Sequence, residues 1–165
     1  MAKAYVGIGS NKGDARAHIH KALEELKKIG TILSISSLYK TEPVGFAEQE
    51  WFLNCALLLE TELSPKALLT AFKRIEKELG RTPSIKNGPR EIDIDLLLYG
   101  ETIIHTEVLT VPHSRMHERS FVLLPLSEIA PNVIHPIFKK TVAELRVEIH
   151  DTHACEKISD PFPSL

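Results

Sequence analysis

Few folds accommodate the order in which strand-like and helix-like segments follow one another in this chain. β-Branched and alternating apolar segments predict strands, and apolar residues that recur every three to four positions predict helices. The resulting order is strand, helix, strand, strand, helix, strand. This order is typical of the α+β split βαβ, or ferredoxin-like, arrangement, in which an antiparallel four-stranded core sheet packs with helices. The six segments are residues 3–9, 15–29, 31–41, 51–61, 64–80 and 90–99.

Both predicted helices carry residues that start or stop a helix at their ends. Asp14 is placed to cap the first helix, and Gly30 follows its last apolar position. Ser64 is placed to cap the second helix, Pro65 occupies its first turn, and Gly80 lies just past its end. These signals predict the helix boundaries independently of the apolar pattern.

Three further segments follow the predicted core, and we expect residues 1–150 to form a single domain. They are a hairpin-like excursion, a helix that contains Pro125 and a last short helix, at residues 100–113, 118–131 and 140–150. The remaining residues, 151–165, are polar and include two prolines, which predicts a flexible C-terminal tail.

Composition and charge argue against two classes of partner. The chain has 165 residues, 43% of them hydrophobic, and a formal net charge of −2. Nucleic-acid and membrane surfaces attract basic proteins, so we expect neither as a partner. No apolar run approaches the roughly 18 residues of a membrane span, and the N-terminal residues lack the apolar stretch of a signal peptide. With two cysteines and no disulfide framework, the sequence predicts a cytoplasmic domain.

Two acids on the last predicted core strand are the first candidates for chemistry. Asp93 and Asp95 are two residues apart, so on a strand their side chains share a face at a separation of about 7 Å. A solvated strand face explains such a pair about as well as a site does. The strand is otherwise apolar, however, and Arg90 precedes it. Paired carboxylates suit Mg²⁺ shared with substrate phosphates, so a metal–nucleotide site is a reasonable interpretation. The same alternation places Ile92, Ile94, Leu96 and Leu98 on one face and Asp93, Asp95, Leu97 and Tyr99 on the other.

Further candidates are an asparagine and two basic clusters. Asn54 shares a face with Phe52, which would suit recognition of a planar heterocycle, although spacing alone favours an edge-strand asparagine bonded to a turn.

The basic clusters suggest a polyphosphate clamp, with solvated faces as the alternative. Two histidines spaced i, i+4 are also compatible with zinc but lack an obvious third ligand. The clusters are Arg81, Lys86 and Arg90, and then His113, Arg115, His117 and Arg119. The stretch "GSNKGD" is interpreted as a strand-to-helix turn because it matches no phosphate-loop pattern.

Six stretches together resemble one known family over residues 3 to 145. They are "GSNKGD", "YKTEPVG", "FLNCALLLET", "RIEKELGR", "GPREIDIDLLLYG" and "LTVPHSRMHERSFVLLPLSEIAP". The family is 6-hydroxymethyl-7,8-dihydropterin pyrophosphokinase of folate biosynthesis, whose fold is ferredoxin-like. The resemblance implies transfer of pyrophosphate from ATP to the pterin hydroxymethyl group with release of AMP. It also implies ATP as co-substrate, two Mg²⁺ ions as cofactors and a monomer.

The resemblance also implies roles for individual residues. Asp93 and Asp95 would hold the metal ions, and Asp95 would assist in deprotonating the hydroxyl group. Asp93, Asp95, Arg81 and Arg90 would be catalytic. The pterin would contact Thr41, Pro43, Val44, Phe52, Asn54 and Phe121, with the two phenylalanine rings on either side of it. ATP would contact Lys73, Glu76, Arg81, Arg90, His113 and Arg119.

The sequence departs from the family pattern at four positions. Two arginines of that pattern are replaced by Pro83 and Val108, a tryptophan by Asn87 and a tyrosine by Ser114. The missing cations leave ATP affinity and loop closure open, and Lys73, Lys86 or Arg115 would have to substitute. The alternative function is a catalytically silent nucleotide- or pterin-binding module of the same fold.

Overall fold

The computed structural model describes residues 1–158, and an antiparallel sheet packed with helices dominates it. None of the helices within these residues has the length and apolarity needed to cross a membrane. The strands are β1 (Ala2–Ser10), β2 (Thr31–Ile35), β3 (Tyr39–Thr41), β4 (Phe52–Thr61), β5 (Asp93–Tyr99), β6 (Ile104–His105), β7 (Thr110–Val111) and β8 (Cys155–Lys157). The helices are α1 (Ala15–Leu26), α2 (Pro65–Glu78), α3 (Ser120–Ile129) and α4 (Val142–Glu148), with a 3₁₀ turn at Met116–Glu118.

The sheet confirms the predicted ferredoxin-like core and adds to it. Its order is β5-β1-β4-β3-β8, and β2 also pairs with β4. The segment predicted as one strand at residues 31–41 is two strands. Between them, the Ser36 hydroxyl accepts a hydrogen bond from the Ala56 backbone N–H at 2.9 Å, so a side chain takes the place of a ladder carbonyl. The predicted hairpin-like excursion is confirmed as the β6–β7 pair.

Helices cover both faces of the sheet. The predicted caps are confirmed, because the Asp14 side chain accepts from Ala17 N–H and the Ser64 side chain from Ala67 N–H. Helices α1 and α2 pack on one face through a core that includes Ile19. Helices α3 and α4 pack on the other face around Leu123. The site residues of β4 and β5 therefore lie on strands that helices cover on both faces.

A β-bulge in the β1–β5 ladder changes which residues of β5 share a face. The register shifts where Tyr5 pairs with Leu98 and Val6 with Leu96, which leaves Leu97 as the extra residue. The prediction for the end of the strand is therefore wrong: Leu98 joins Leu97 in the core under α3, and Tyr99 packs against the opposite core. Asp93 and Asp95 precede the bulge and keep their common face.

The predicted flexible tail is wrong for part of its length. Residues 155–157 form β8, which pairs with β3 as an edge strand. Glu156 and Lys157 are exposed on this short edge strand, so its composition alone resembles that of a loop. Residues 159–165 of the predicted tail lie outside the described residues.

His135 makes the stability of the fold sensitive to acid. It is 2% exposed, and its Nδ1 accepts hydrogen bonds from the backbone N–H groups of Ile137 and Phe138 at 3.2 and 3.3 Å. Burial, with a smaller effect of His117, lowers the pKa of His135 from 6.5 to about 4. Between pH 6.5 and pH 4, His135 becomes protonated in the unfolded chain but stays neutral in the folded protein. The free energy of unfolding is therefore expected to fall by about 1–3 kcal/mol between pH 6.5 and pH 4 through this residue.

The test is urea unfolding of the wild type and of His135→Asn at pH 7.5 and at pH 5. Asparagine keeps an acceptor near the Nδ1 position but does not titrate. The difference in unfolding free energy between the two proteins should shift in favour of the variant at pH 5. A difference that does not change with pH would contradict the assignment.

Candidate active site

A cavity of about 220 Å³ lies at one end of the central strands and collects most of the predicted site residues. Strands β1, β4 and β5 form its floor, the loops after β3 and α2 form two walls, and the start of α3 forms another. The predicted residues that line it are Thr41, Val44, Phe52, Asn54, Arg81, Arg90, Asp93, Asp95, His113, Arg119 and Phe121. Gly9, Glu42, Asn87 and Gly88 also line it and were not predicted.

Asn54 lies in the floor of the cavity between central strands. Its strand β4 has β1 on one side and β3 on the other, so the edge-strand alternative is wrong. Gly9 pairs with Asn54 in the ladder, and a Cβ on Gly9 would collide with the Asn54 side-chain oxygen. The amide Nδ2 donates to the Thr41 hydroxyl at 2.6 Å, which fixes the plane of the amide. The two aromatic rings of Phe52 and Phe121 line the same cavity.

The acid pair lies where negative charge is in excess. The pKa of Asp95 is raised to about 7 by burial and by the neighbouring carboxylates Asp93 and Glu76, against the opposing effect of Arg119 and Arg81. Burial also raises the pKa of Glu76. The positive charges of the protein therefore do not fully offset the cost of ionising Asp95. Two carboxylates on one face with a deficit of positive charge suit a divalent cation with oxygen ligands.

Glu76 contacts both the strand that carries the acid pair and Arg81 of the cavity, and so fixes their positions. One of its carboxylate oxygens accepts from the Ile94 backbone N–H at 2.8 Å, between the two aspartates on β5. The other lies 2.7 Å from Nη1 of Arg81, which also lies 3.3 Å from Asp93. Glu76 does not line the cavity, and its predicted contact with ATP stays a prediction.

Positive charge reaches the cavity from several elements. Arg81 and Arg90 stand at the two ends of the loop after α2, and Arg119 precedes α3 with its guanidinium 5.4 Å from the Phe121 ring centre. Burial, and then the charge of Arg119, lower the pKa of His113. The neutral imidazole can donate one hydrogen bond and accept another without adding charge, and its Nδ1 accepts from the Arg115 N–H at 3.2 Å. The arrangement can therefore clamp several phosphate oxygens at once.

Several predicted residues lie outside this cavity. Lys73 is exposed on α2, and Pro43 is buried beside the cavity without lining it. Lys86, Pro83, Val108 and Ser114 are exposed. Arg115 lines a neighbouring cavity of about 830 Å³ and pairs with Glu118 at 3.2 Å. Within residues 1–158, no group of three or more histidine, cysteine or acidic side chains is arranged to hold a metal, so His113 and His117 gain no third ligand there.

Asn11, inside the stretch interpreted only as a turn, joins the two loops of the site. Its side-chain oxygen accepts from the Arg90 N–H at 2.8 Å, and its Nδ2 donates to the Gln49 side chain and to the Glu50 carbonyl, both at 2.8 Å. Asn11 is 6% exposed. Sequence reasoning missed this role because the partners are 38 to 79 residues away.

Asn11→Ala is expected to loosen both loops at once. These hydrogen bonds are part-buried, and their loss is expected to cost about 1 kcal/mol of stability. Amide hydrogen exchange should quicken at Arg90 and in residues 46–50, while exchange in α1 stays as in the wild type. Asn11→Asp keeps the acceptor for Arg90 but not the donors, so it should loosen only residues 46–50. Unchanged exchange in both loops of Asn11→Ala would contradict the role.

Comparison with known proteins gives a consistent result. The profile of the family described as 7,8-dihydro-6-hydroxymethylpterin-pyrophosphokinase (HPPK) matches residues 5–131. The chain is 47% identical over 148 residues to the 2-amino-4-hydroxy-6-hydroxymethyldihydropteridine pyrophosphokinase of Aquifex aeolicus, covering 90% of this chain and 92% of that protein. It is 46% identical over 132 residues to the protein of the same name from Bacillus subtilis, covering 79% of each.

Solved structures agree in fold. The wild-type HPPK-DHPS of Plasmodium falciparum superposes with a TM-score of 0.72 at 16% identity, over 89% of this chain and 44% of that one. The chain thus spans less than half of the length of that structure, and the likeness supports the fold alone.

Proposed function

The chain belongs to the 7,8-dihydro-6-hydroxymethylpterin-pyrophosphokinase family, and on that premise we propose that it transfers pyrophosphate from ATP to the hydroxymethyl oxygen of 6-hydroxymethyl-7,8-dihydropterin with release of AMP. It is accordingly an ATP-dependent pyrophosphokinase of folate biosynthesis. The observation that carries the proposal is that a single cavity is lined by a fixed amide and two aromatic rings and also by an acid pair and three arginines. A heterocycle and a polyphosphate would meet between these two halves.

The pterin half of the cavity is proposed to be the part around Asn54. An amide offers both a donor and an acceptor to the edge of a fused heterocycle, and aromatic rings stack on its faces. Phe52 and Phe121 stand on different elements, β4 and α3, so a flat ligand between them would be held from both sides. The Thr41 hydroxyl keeps the Asn54 amide in one orientation before the ligand arrives.

The acid pair is proposed to hold Mg²⁺, of which the family resemblance implies two ions. The donor set fits, because Mg²⁺ takes oxygen ligands, uses one or two carboxylates and shares the remaining positions with phosphate and water. Bound Mg²⁺ would neutralise charge on the triphosphate and orient it. The protein's own contribution is to keep Asp93 and Asp95 on one face, to hold Arg81 through Glu76, and to supply Asp95 as the candidate acceptor of the hydroxyl proton.

The basic residues are proposed to bind and orient the triphosphate. In the reaction a bond forms between the hydroxymethyl oxygen and the β-phosphorus, and the bond between that phosphorus and the oxygen bridging it to the α-phosphate breaks. Arg81, Arg90 and Arg119 surround the space where this charge is redistributed. The loops joined by Asn11 would close over the substrates and exclude water, which strengthens each of these interactions.

A product analysis tests the proposal. The protein is incubated with ATP, Mg²⁺ and 6-hydroxymethyl-7,8-dihydropterin, and the nucleotides and pterins are separated. AMP is expected to appear one-for-one with a pterin diphosphate and to be absent when EDTA is added. ADP in place of AMP would overturn the proposed regiochemistry. Binding of ATP without pterin-dependent turnover would favour the silent binding module.

A further inference from the structure

Residues 150–158, here called the C-terminal strap, run from the end of α4 to the outer edge of the sheet. Along this path the strap contacts two walls of the cavity that belong to different elements, the start of α3 and the end of β3. Both walls carry residues that we assign to pterin binding. The strap itself supplies none of the cavity's lining residues.

At one end of the strap, Asp151 caps α3. Its Oδ2 accepts hydrogen bonds from the backbone N–H and the hydroxyl of Ser120, both at 2.8 Å, and its Oδ1 accepts from the backbone N–H of His153 at 2.9 Å. The Asp151 side chain is 5% exposed. The residue in the N-cap position, Arg119, gives no side-chain cap, so the carboxylate that satisfies this helix end comes from 31 residues further along the chain. Ser120 lies between Arg119 and Phe121, which both line the cavity.

At the other end, the strap holds the root of the loop after β3. The Ala154 N–H donates to the Glu42 carboxylate, and the Ala154 carbonyl accepts from the Glu42 N–H, both at 2.9 Å. Cys155 pairs with Thr41 in the β3–β8 ladder. Thr41 in turn accepts the hydrogen bond that orients Asn54.

We propose that the C-terminal strap sets the spacing and orientation of the two pterin-binding walls, with Asp151 as a positioning residue for Phe121 and Arg119. The inference rests on the proposed function. Glu128, near the end of α3, already accepts a hydrogen bond from the Tyr39 hydroxyl on β3, and the strap adds a second link at the start of α3, next to the cavity. A carboxylate that accepts three or more hydrogen bonds holds its partners closely. The strap thereby keeps constant the distance between β4, which carries Phe52, and α3, which carries Phe121. The pterin would bind between these two elements.

Asp151→Ala is the test, with the Michaelis constants for pterin and ATP measured separately. The KM for pterin is expected to rise about 10- to 100-fold, because a displacement of order 1 Å in a positioning residue has effects of this size. The KM for ATP should rise less, since Arg81 and Arg90 stand on a loop that the strap does not touch. Asp151→Asn keeps one acceptor oxygen for Ser120 and should give an intermediate value.

Ser64→Ala is the matched control, because it removes the cap of α2 at the end remote from the cavity. It should lower the melting temperature and leave both KM values unchanged. The proposal is overturned if Asp151→Ala lowers the melting temperature in the same way while the KM for pterin stays at the wild-type value. If Asp151→Ala does not fold, the same comparison is made with Asp151→Asn.

Failure of the proposed function has a different signature. A wild-type protein that does not turn over the pterin with ATP overturns the function. If the wild type is active and the Asp151→Ala variant has the same KM for pterin, only the role proposed for the strap is overturned.

Discussion

Asp95→Asn is expected to abolish turnover and to stabilise the folded protein at pH 8. The pKa of Asp95 is raised from 3.8 to about 7, by burial first and then by Asp93 and Glu76. Between these two values the folded protein holds a proton that the unfolded chain has released, so the free energy of unfolding falls as the pH rises from about 4 to about 7. Asparagine never ionises and escapes this loss. We expect a gain of about 1–3 kcal/mol at pH 8 and a smaller gain at pH 5.

The loss of activity has a separate cause, which is that asparagine supplies no negative charge to a metal ion. A fall in kcat of at least about 100-fold is expected for the loss of one group that stabilises developing charge. Mg²⁺ with a nonhydrolysable ATP analogue should raise the melting temperature of the wild type more at pH 8 than at pH 5.5, since binding needs the ionised carboxylate. The same ligands should have little effect on the variant.

Asp14→Asn makes the same chemical change at the exposed cap of α1, where asparagine caps as well as aspartate does. It should leave kcat and the pH dependence of unfolding unchanged. An Asp95→Asn variant that is less stable than the wild type at pH 8 would show that the charge is compensated within the protein.

Gly9→Ala is expected to lower pterin affinity sharply and to lower stability by about 1–3 kcal/mol, because the buried Asn54–Thr41 hydrogen bond is lost. The added Cβ would collide with the Asn54 side-chain oxygen, the far end of a side chain that can rotate away. Rotation breaks the bond to Thr41 and removes the amide from the pterin half of the cavity. Leaving one or two buried polar groups unpaired costs about 1–3 kcal/mol, or about 10- to 100-fold in affinity.

Gly7→Ala is the matched control on the same strand. A Cβ at Gly7 would meet the Leu97 side chain at 3.5 Å, which is ordinary van der Waals contact. Pterin binding to each variant is measured by fluorescence titration, and ATP binding by calorimetry. Gly7→Ala should bind both like the wild type, and Gly9→Ala should bind ATP normally but pterin weakly. Equal pterin affinity for the two variants would contradict the role assigned to the Asn54 amide.

Two kinds of sequence information predicted the site: the periodicity of the residues and the resemblance to a known family. Periodicity placed Asp93 and Asp95 on one face, and the structure agrees because both residues precede the bulge at Leu97. Spacing alone favoured an edge strand for Asn54, and its place in the site came from the family resemblance. The structure brings eleven of the predicted residues to one cavity, and their contacts with substrates stay predictions.

Sequence patterns correctly predicted the order of the elements, the start of α1, both ends of α2, and the common face of the acid pair, whereas α1 ends at Leu26 and not at the predicted Ile29. These features depend on residues within a few positions of one another, so propensity, capping and periodicity are enough to predict them. The folded structure was needed to show that Asn11 joins two loops, that Gly9 makes room for Asn54, that Asp151 caps α3 and that β5 contains a bulge. Each of these depends on groups that are distant along the chain, 79 residues apart for Asn11 and Arg90 and 31 for Asp151 and Ser120, and local patterns carry no information about such meetings.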